Sequence, residues 1–324
     1  MNARGSVFSL AGVLLLAALS FTAQSAGASP SQKRAALAQK TVKTALNNSQ
    51  SKKTKAPQSR LARASVNSGL QLESAAVYVE DQASGDVIVS KNSQSIQPIA
   101  SITKLMTAMV ALDAMPNLKE TLTIGNDDVD LLKGTGSRLR VGAELTREEM
   151  LRLALMSSEN RAASALSRHY PGGKTAFVEA MNSKAHNLGL NDTRFKDPTG
   201  LTAANVSSPR DLAKMVNAAY QYPLIREFST TAGDTVRVSG RELQYNNTNA
   251  LIKSPNWDIG LSKTGYIAEA GKCLVMQAWV NSKPTIIVLL DSVGKATRMA
   301  DANRIKHWVE ATALANRTAV ANAG

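Results

Sequence analysis

Three short motifs in this chain could together perform covalent chemistry. Ser101-Ile102-Thr103-Lys104 opens an apolar stretch that begins just after Pro98 and runs to Met115. If that stretch is a buried helix, a spacing of three sets the Ser101 hydroxyl and the Lys104 amine on one face, within mutual reach. A serine hydroxyl is a weak nucleophile without an adjacent base, and a lysine can act as that base only when neutral. Bringing a lysine pKa from about 10.4 to near 7 is a difference of roughly 4.6 kcal/mol, which burial and a second nearby cation can supply. Ser158-Glu159-Asn160 follows 57 residues after Ser101, in a break between helical stretches, and Lys263-Thr264-Gly265 opens a strand-like run 105 residues further on. The bare tetrapeptide is not selective, since it recurs as Ser49-Gln50-Ser51-Lys52 and Ser292-Val293-Gly294-Lys295. Only the Ser101 copy begins an apolar helix and is followed by both other motifs.

Competing chemistries find little support. The three histidines, at 169, 186 and 307, have no histidine or cysteine at metal-ligand spacing, so neither a metal nor another cofactor is expected. No Gly-x-Ser-x-Gly elbow is present, which removes the usual sign of a Ser-His-Asp hydrolase. Gly173-Lys174-Thr175 looks like the end of a phosphate loop, but Arg168 stands where its first glycine belongs. Cys273 is the only cysteine, so no internal disulfide can form, and its place in an apolar run reads as a buried, inert thiol.

The elements that would hold the motifs can be read from periodicity. Ala76-Val77-Tyr78-Val79 and Val87-Ile88-Val89, joined through Ser84-Gly85, form a hairpin pattern. Cys273 to Val280 and Thr285 to Leu290 form another, and a last helix is expected over 296–313. Between these ends the chain reads as mostly helical. Thr146-Arg147-Glu148-Glu149 is a capping box opening a helix through Met156, and further helices are expected over Arg161–Tyr170 and Asp211–Tyr220. The expected class is α+β: an antiparallel sheet completed by both termini, with a helical subdomain at roughly 100–220.

Charge separates the N-terminal region from the rest. The formal net charge is +13 over 324 residues, yet ten of the 38 basic residues precede the first acid, Glu73. From there on, 28 basic residues face 25 acids, close to neutrality. With 4% aromatic residues as well, a nucleic-acid partner is not expected. Residues 1–28 carry one basic residue, Arg4, an apolar run from Val7 to Phe21 and small residues at Ala26-Gly27-Ala28. They read as a cleaved secretory signal peptide, with a retained anchor as the alternative. Residues 29–68 hold no acid and no aromatic residue, and read as a basic flexible linker that either spaces the domain or contacts an anionic envelope surface. The globular domain is expected over 69–324.

Taken in order, the three motifs are those of penicillin-binding proteins and class A β-lactamases. The chain from about 70 to 313 resembles the low-molecular-mass penicillin-binding proteins of the D-alanyl-D-alanine carboxypeptidase/endopeptidase family. Further stretches carry the likeness: Thr193-Arg194-Phe195-Lys196-Asp197-Pro198-Thr199-Gly200-Leu201 and Ser208-Pro209-Arg210-Asp211-Leu212-Ala213. Ser157-Ser158-Glu159-Asn160-Arg161-Ala162-Ala163 is similar to the endopeptidase branch, whereas carboxypeptidases more often place Gly before the Asn and Asp after it. About 59 residues follow Gly265, too few for the extra β domain and amphipathic anchor of the membrane-bound carboxypeptidases.

The resemblance implies a β-lactamase/transpeptidase-like fold in a periplasmic serine D,D-peptidase. Its substrates would be peptidoglycan peptide cross-links, and β-lactams would be covalent inhibitors. It further implies that Ser101 attacks a D-alanyl carbonyl, Lys104 takes its proton, Ser158 relays the proton to the leaving amine, and Asn160 orients Lys104 and substrate. Lys263 and Thr264 would receive a substrate carboxylate, and Gly265-Tyr266 would bring the Tyr266 N–H, with that of Ser101, to an oxyanion hole. Glu159 has no implied role and equally suits a solvent-facing position. A carboxypeptidase trimming terminal D-Ala shares all three motifs, and a non-catalytic wall-binding protein is a further alternative. A β-lactamase is disfavoured because no Glu-x-x-Leu-Asn segment follows the second motif.

Overall fold

The computed structural model describes residues 69–294 and 296–321, so the expected signal peptide and basic linker lie outside the described residues. Among the described residues, eleven strands and seven α-helices follow one another. β1 (Ala76–Asp81) and β2 (Val87–Lys91) form the expected first hairpin, and β3 (Gln97–Pro98) leads into a 3-10 turn, Ala100–Ile102. The turn runs directly into helix α1 (Thr103–Asp113). Next come the short strands β4 (Thr121–Thr123) and β5 (Glu144–Thr146), then α2 (Arg147–Met156), α3 (Asn160–Arg168) and α4 (Gly173–Asn187). β6 (Val206–Ser207), α5 (Pro209–Tyr220), α6 (Pro223–Thr230) and a second hairpin, β7 (Gly233–Val238) with β8 (Arg241–Asn246), complete the middle. The chain closes with β9 (Asp258–Ile267), β10 (Gly271–Val280), β11 (Lys283–Ser292) and α7 (Thr297–Ala321).

The main sheet is antiparallel, in the order β2-β1-β11-β10-β9. β1 from the beginning of the domain pairs with β11 from its end, Ala76 opposite Leu290 and Asp81 opposite Thr285, so both ends do complete one sheet. Its central strands carry apolar runs, such as residues 286–290 of β11, because both faces are covered. Tyr78, Val275, Ile286 and Val288 join the helical core, whereas Val77, Val79, Leu274, Met276, Ile287 and Leu289 pack with Ala302 and Ile305 of α7. The side-chain period of two thus divides each strand between two cores.

Helix α1 is buried from Thr103 to Ala111, as a helix apolar on nearly every side must be. The capping box forms as read: Thr146 Oγ1 accepts from the Glu149 N–H (3.2 Å), and Glu149 Oε2 accepts from the Thr146 N–H (2.7 Å). Several boundaries move. The expected Arg161–Tyr170 helix is Asn160–Arg168, Asp211–Tyr220 begins two residues earlier behind the Ser208 cap, and the last helix extends to Ala321. Helices α4 and α6 and the β7–β8 hairpin were not anticipated, and α6 carries the helical subdomain to Thr230. In α4 the signal is the four-residue spacing of buried Phe177, Met181 and Ala185, masked by turn-like Pro171-Gly172-Gly173. In the hairpin, Ser239 and Gly240 both have positive φ (48° and 77°), as a two-residue type I′ turn requires.

Candidate active site

Lys104 lies in the first turn of α1 with no solvent exposure, and its Nζ contacts three oxygen atoms. Its Nζ is 2.9 Å from Ser101 Oγ, 2.7 Å from Asn160 Oδ1 and 2.7 Å from the Thr199 carbonyl oxygen. Burial lowers its pKa to about 7, against the opposing pull of the Asp197 and Glu159 carboxylates. A neutral lysine has two N–H bonds and one lone pair. Asn160 Oδ1 and the Thr199 carbonyl can only accept, so they take the two N–H bonds and leave the lone pair for the Ser101 hydroxyl proton.

The Ser158-Glu159-Asn160 segment bridges α2 and α3. Ser158 sits at φ 63°, a conformation rare for a residue with a side chain, and its hydroxyl accepts from Lys263 Nζ at 2.9 Å. Asn160 opens α3, giving Oδ1 to Lys104 and donating Nδ2 to Thr135 Oγ1 at 3.0 Å. Glu159 does not face solvent. Buried between the two, it accepts from the Arg161 N–H and from Ser137 Oγ (2.7 Å), capping α3.

Lys263 lies on β9, which among the described residues pairs only with β10 and so presents its other edge to the helices. Its pKa is held well below the ordinary lysine value, first by burial and then by the charges of Lys104 and Arg298. Beside it Thr264 donates to Thr248 Oγ1 at 2.6 Å, and Tyr266 stands 60% exposed under the Lys272 ammonium, 4.5 Å from the ring centre. Gly265 is where β9 meets the nucleophile: a Cβ there would lie 2.9 Å from the Ile99 carbonyl oxygen and 3.1 Å from the Ser101 nitrogen. All eight residues singled out from the motifs therefore fall on three adjoining segments: the α1 start, the α2–α3 break and β9.

Other participants carry no motif of their own. Asp197 gathers the N–H groups of Thr199 (2.5 Å), Gly200 (2.7 Å) and Thr202 (3.1 Å), and this folds the 197–202 loop that aims the Thr199 carbonyl at Lys104. That loop is the Asp-Pro-Thr-Gly stretch noted in the sequence. Thr135, Thr248 and Arg298, whose Nη1 donates to the Gly265 carbonyl at 3.1 Å, could not have been found from spacing alone. Cys273 is buried as expected, and burial pushes its thiol up to about 11. Beside Asn160 and Thr199 opens a cavity of about 710 Å³ walled by Leu131, Leu132, Lys174 and Lys196, large enough for a peptide arm.

A serine hydroxyl beside a buried lysine of lowered pKa, set between helices and an antiparallel sheet edge, is an arrangement that could serve as nucleophile and base. Residues 61–294 match the D-alanyl-D-alanine carboxypeptidase family, and the chain belongs to it: a serine D,D-peptidase with a β-lactamase-like fold. A Pseudomonas aeruginosa relative named D-alanyl-D-alanine endopeptidase is 50% identical over 242 residues, covering 74% of this chain and 78% of its own. An Escherichia coli relative of the same name is 47% identical over 259 residues, covering 79% and 84%. A solved Streptomyces DD-transpeptidase superposes with a TM-score of 0.69 at 29% identity, covering 74% of this chain and 97% of that one.

Proposed function

We infer that the protein is an extracytoplasmic serine-type D-alanyl-D-alanine endopeptidase that hydrolyses D-Ala-diaminopimelate cross-links in peptidoglycan. The observation that carries this reading is the Lys104 amine, buried and aimed by two pure acceptors at Ser101 Oγ. Neutral Lys104 takes the Ser101 proton as Oγ bonds to the D-Ala carbonyl carbon. The oxyanion is received by the N–H groups of Ser101 and Tyr266. The proton passes from Lys104 through Ser158, held by Lys263, to the leaving nitrogen, and the C–N bond breaks to give the acyl-enzyme. Water, giving its proton to Lys104, then attacks the ester and releases Ser101. Lys263 and Thr264 receive the carboxylate beside the scissile bond. Penicillin enters by the same attack, its ring amide standing for the peptide bond.

Cleavage of cross-links, rather than trimming of terminal D-Ala, is supported by the names of the two relatives and by Ser158-Glu159-Asn160-Arg161. The export reading rests on residues 1–28, and the periplasm is the compartment in which such a substrate is met. Two experiments test the proposal. Ser101→Ala is expected to abolish covalent labelling by fluorescent penicillin, and persistent labelling would reject Ser101 as nucleophile. Chromatography of digested sacculi is expected to show loss of cross-linked dimers. Loss of terminal D-Ala with dimers intact would make the enzyme a carboxypeptidase.

A further inference from the structure

A second concavity, of about 600 Å³, lies between residues 137–143 and the tip of the β7–β8 hairpin. Three arginines line it, Arg138, Arg140 and Arg241, and no acidic residue does. Arg138 is committed to the wall: it donates to the Gln244 carbonyl and stacks 3.7 Å above the Tyr245 ring. Arg140 and Arg241 are exposed, and among the described residues neither side chain has a hydrogen bond or an ion pair. The wall itself is rigid, since Ser137 Oγ donates to Glu159 (2.7 Å) and Arg161 Nη1 donates to the Leu139 carbonyl (2.8 Å). Guanidinium groups that line one cavity without a paired acid can take up a carboxylate by charge-assisted hydrogen bonds.

The cavity wall touches the second motif segment, since Ser137, which lines it, donates to Glu159 between Ser158 and Asn160. Ser137 is two residues from Thr135, the partner of Asn160, which is at most about 7 Å of chain. Gln244, held by Arg138, is four residues before Thr248, the partner of Thr264. The cavity walls are thus joined by short chain segments to the neighbours of Ser158 and Thr264, the residues assigned above to the leaving side of the scissile bond. There a cross-linked substrate continues as a second peptide arm bearing further carboxylates, whereas a single strand ends.

We propose that this arginine cavity binds a carboxylate of the leaving-side peptide arm and so selects cross-linked peptides over single strands. The proposal rests on the endopeptidase reading. Its test compares wild type with the double variant Arg140→Gln/Arg241→Gln. Three substrates are used: a cross-linked muropeptide dimer, the same dimer with its arm carboxylates amidated, and fluorescent penicillin. The variant is expected to cut the free dimer about tenfold less efficiently, mainly through KM, and to react with penicillin at the wild-type rate. Both proteins should cut the amidated dimer equally, and Arg→Lys at both positions should recover part of the loss. Equal cleavage of the free dimer by wild type and variant, or an undiminished variant defect on the amidated one, overturns the proposal. If wild type leaves dimers intact, the endopeptidase reading fails by itself. The cavity is then judged by dimer binding to Ser101→Ala with and without the two glutamines, where tenfold weaker binding supports it and equal binding overturns it.

Discussion

At the scale of single residues, the site depends on an expensive cation. Lys104 has no exposure to water, and its pKa of about 7 results chiefly from that burial. Lysine acts as a base only when neutral, so the second-order rate of acylation by penicillin should rise with pH through about 7 and then level off, as stopped-flow measurement would show. Glu159 pulls in the opposite direction. Glu159→Gln keeps the oxygen that accepts from Ser137 and Arg161 but removes the charge, so the midpoint of that profile should move to lower pH. A purely structural Glu159 would leave the midpoint where it is. Lys263 holds the Ser158 hydroxyl, and Lys263→Ala is expected to slow acylation by about a hundredfold while Ser101 stays labelled at long times.

At the scale of elements, what matters is how closely backbones approach the nucleophile. Gly200, at φ 83°, lies against the start of α1: a Cβ there would be 2.0 Å from the Ala100 carbonyl oxygen and 2.9 Å from the Ser101 nitrogen. Gly200→Ala must displace the nucleophile or the 197–202 loop. Acylation should fall by about a hundredfold or more, with a lowered Tm to match. The helix cap at Thr146 offers the contrast, because it sits at the far end of α2 from Ser158. Thr146→Ala should cost about 1 kcal/mol by denaturant unfolding and leave acylation unchanged. The helix start at Thr146 was legible in sequence because its box with Glu149 is a local signal, whereas the start behind Ser208 and Pro209 lies two residues before the expected Asp211. Helix α4 was not legible, because its start lies among glycines and its stability comes from Phe177, Met181 and Ala185 packing against other helices.

Across the whole molecule, the first and last parts of the domain are tied together by one buried carboxylate. Asp301 of α7 has no exposure; it accepts from the Ser74 N–H (2.7 Å), Ser74 Oγ (2.6 Å) and the Glu73 N–H (3.1 Å), and pairs with Arg304. Burial alone would raise its pKa, but these bonds outweigh it and hold the carboxyl below its usual range. A depressed carboxyl stabilises the fold above its unfolded pKa of about 3.9, and that contribution is lost as pH falls through the lower folded value. Asp301→Asn should therefore lower Tm at pH 7, and thermal scans should show the gap from wild type narrowing in acid below pH 4. Residues 29–68 lie outside the described residues, and their deletion should leave acylation unchanged. Unchanged sedimentation with membranes and wall at low salt would identify them as a spacer rather than a tether.

The eight motif residues and the β1–β2 and β10–β11 hairpins of the sheet could be read from residue order alone, because reactive side chains recur at fixed local spacings and strands betray themselves by period. Family resemblance added the roles. Residue order could not say that Thr199, Thr135 and Thr248 complete the site, that Glu159 is buried, or that three arginines share a cavity beside it. Those facts depend on segments 25 to 106 residues apart meeting in space, as Asn160 with Thr135 and Arg138 with Gln244 show. Such meetings are set by helices packing on one face of the sheet and by glycines thin enough to let backbones touch, which no local pattern encodes.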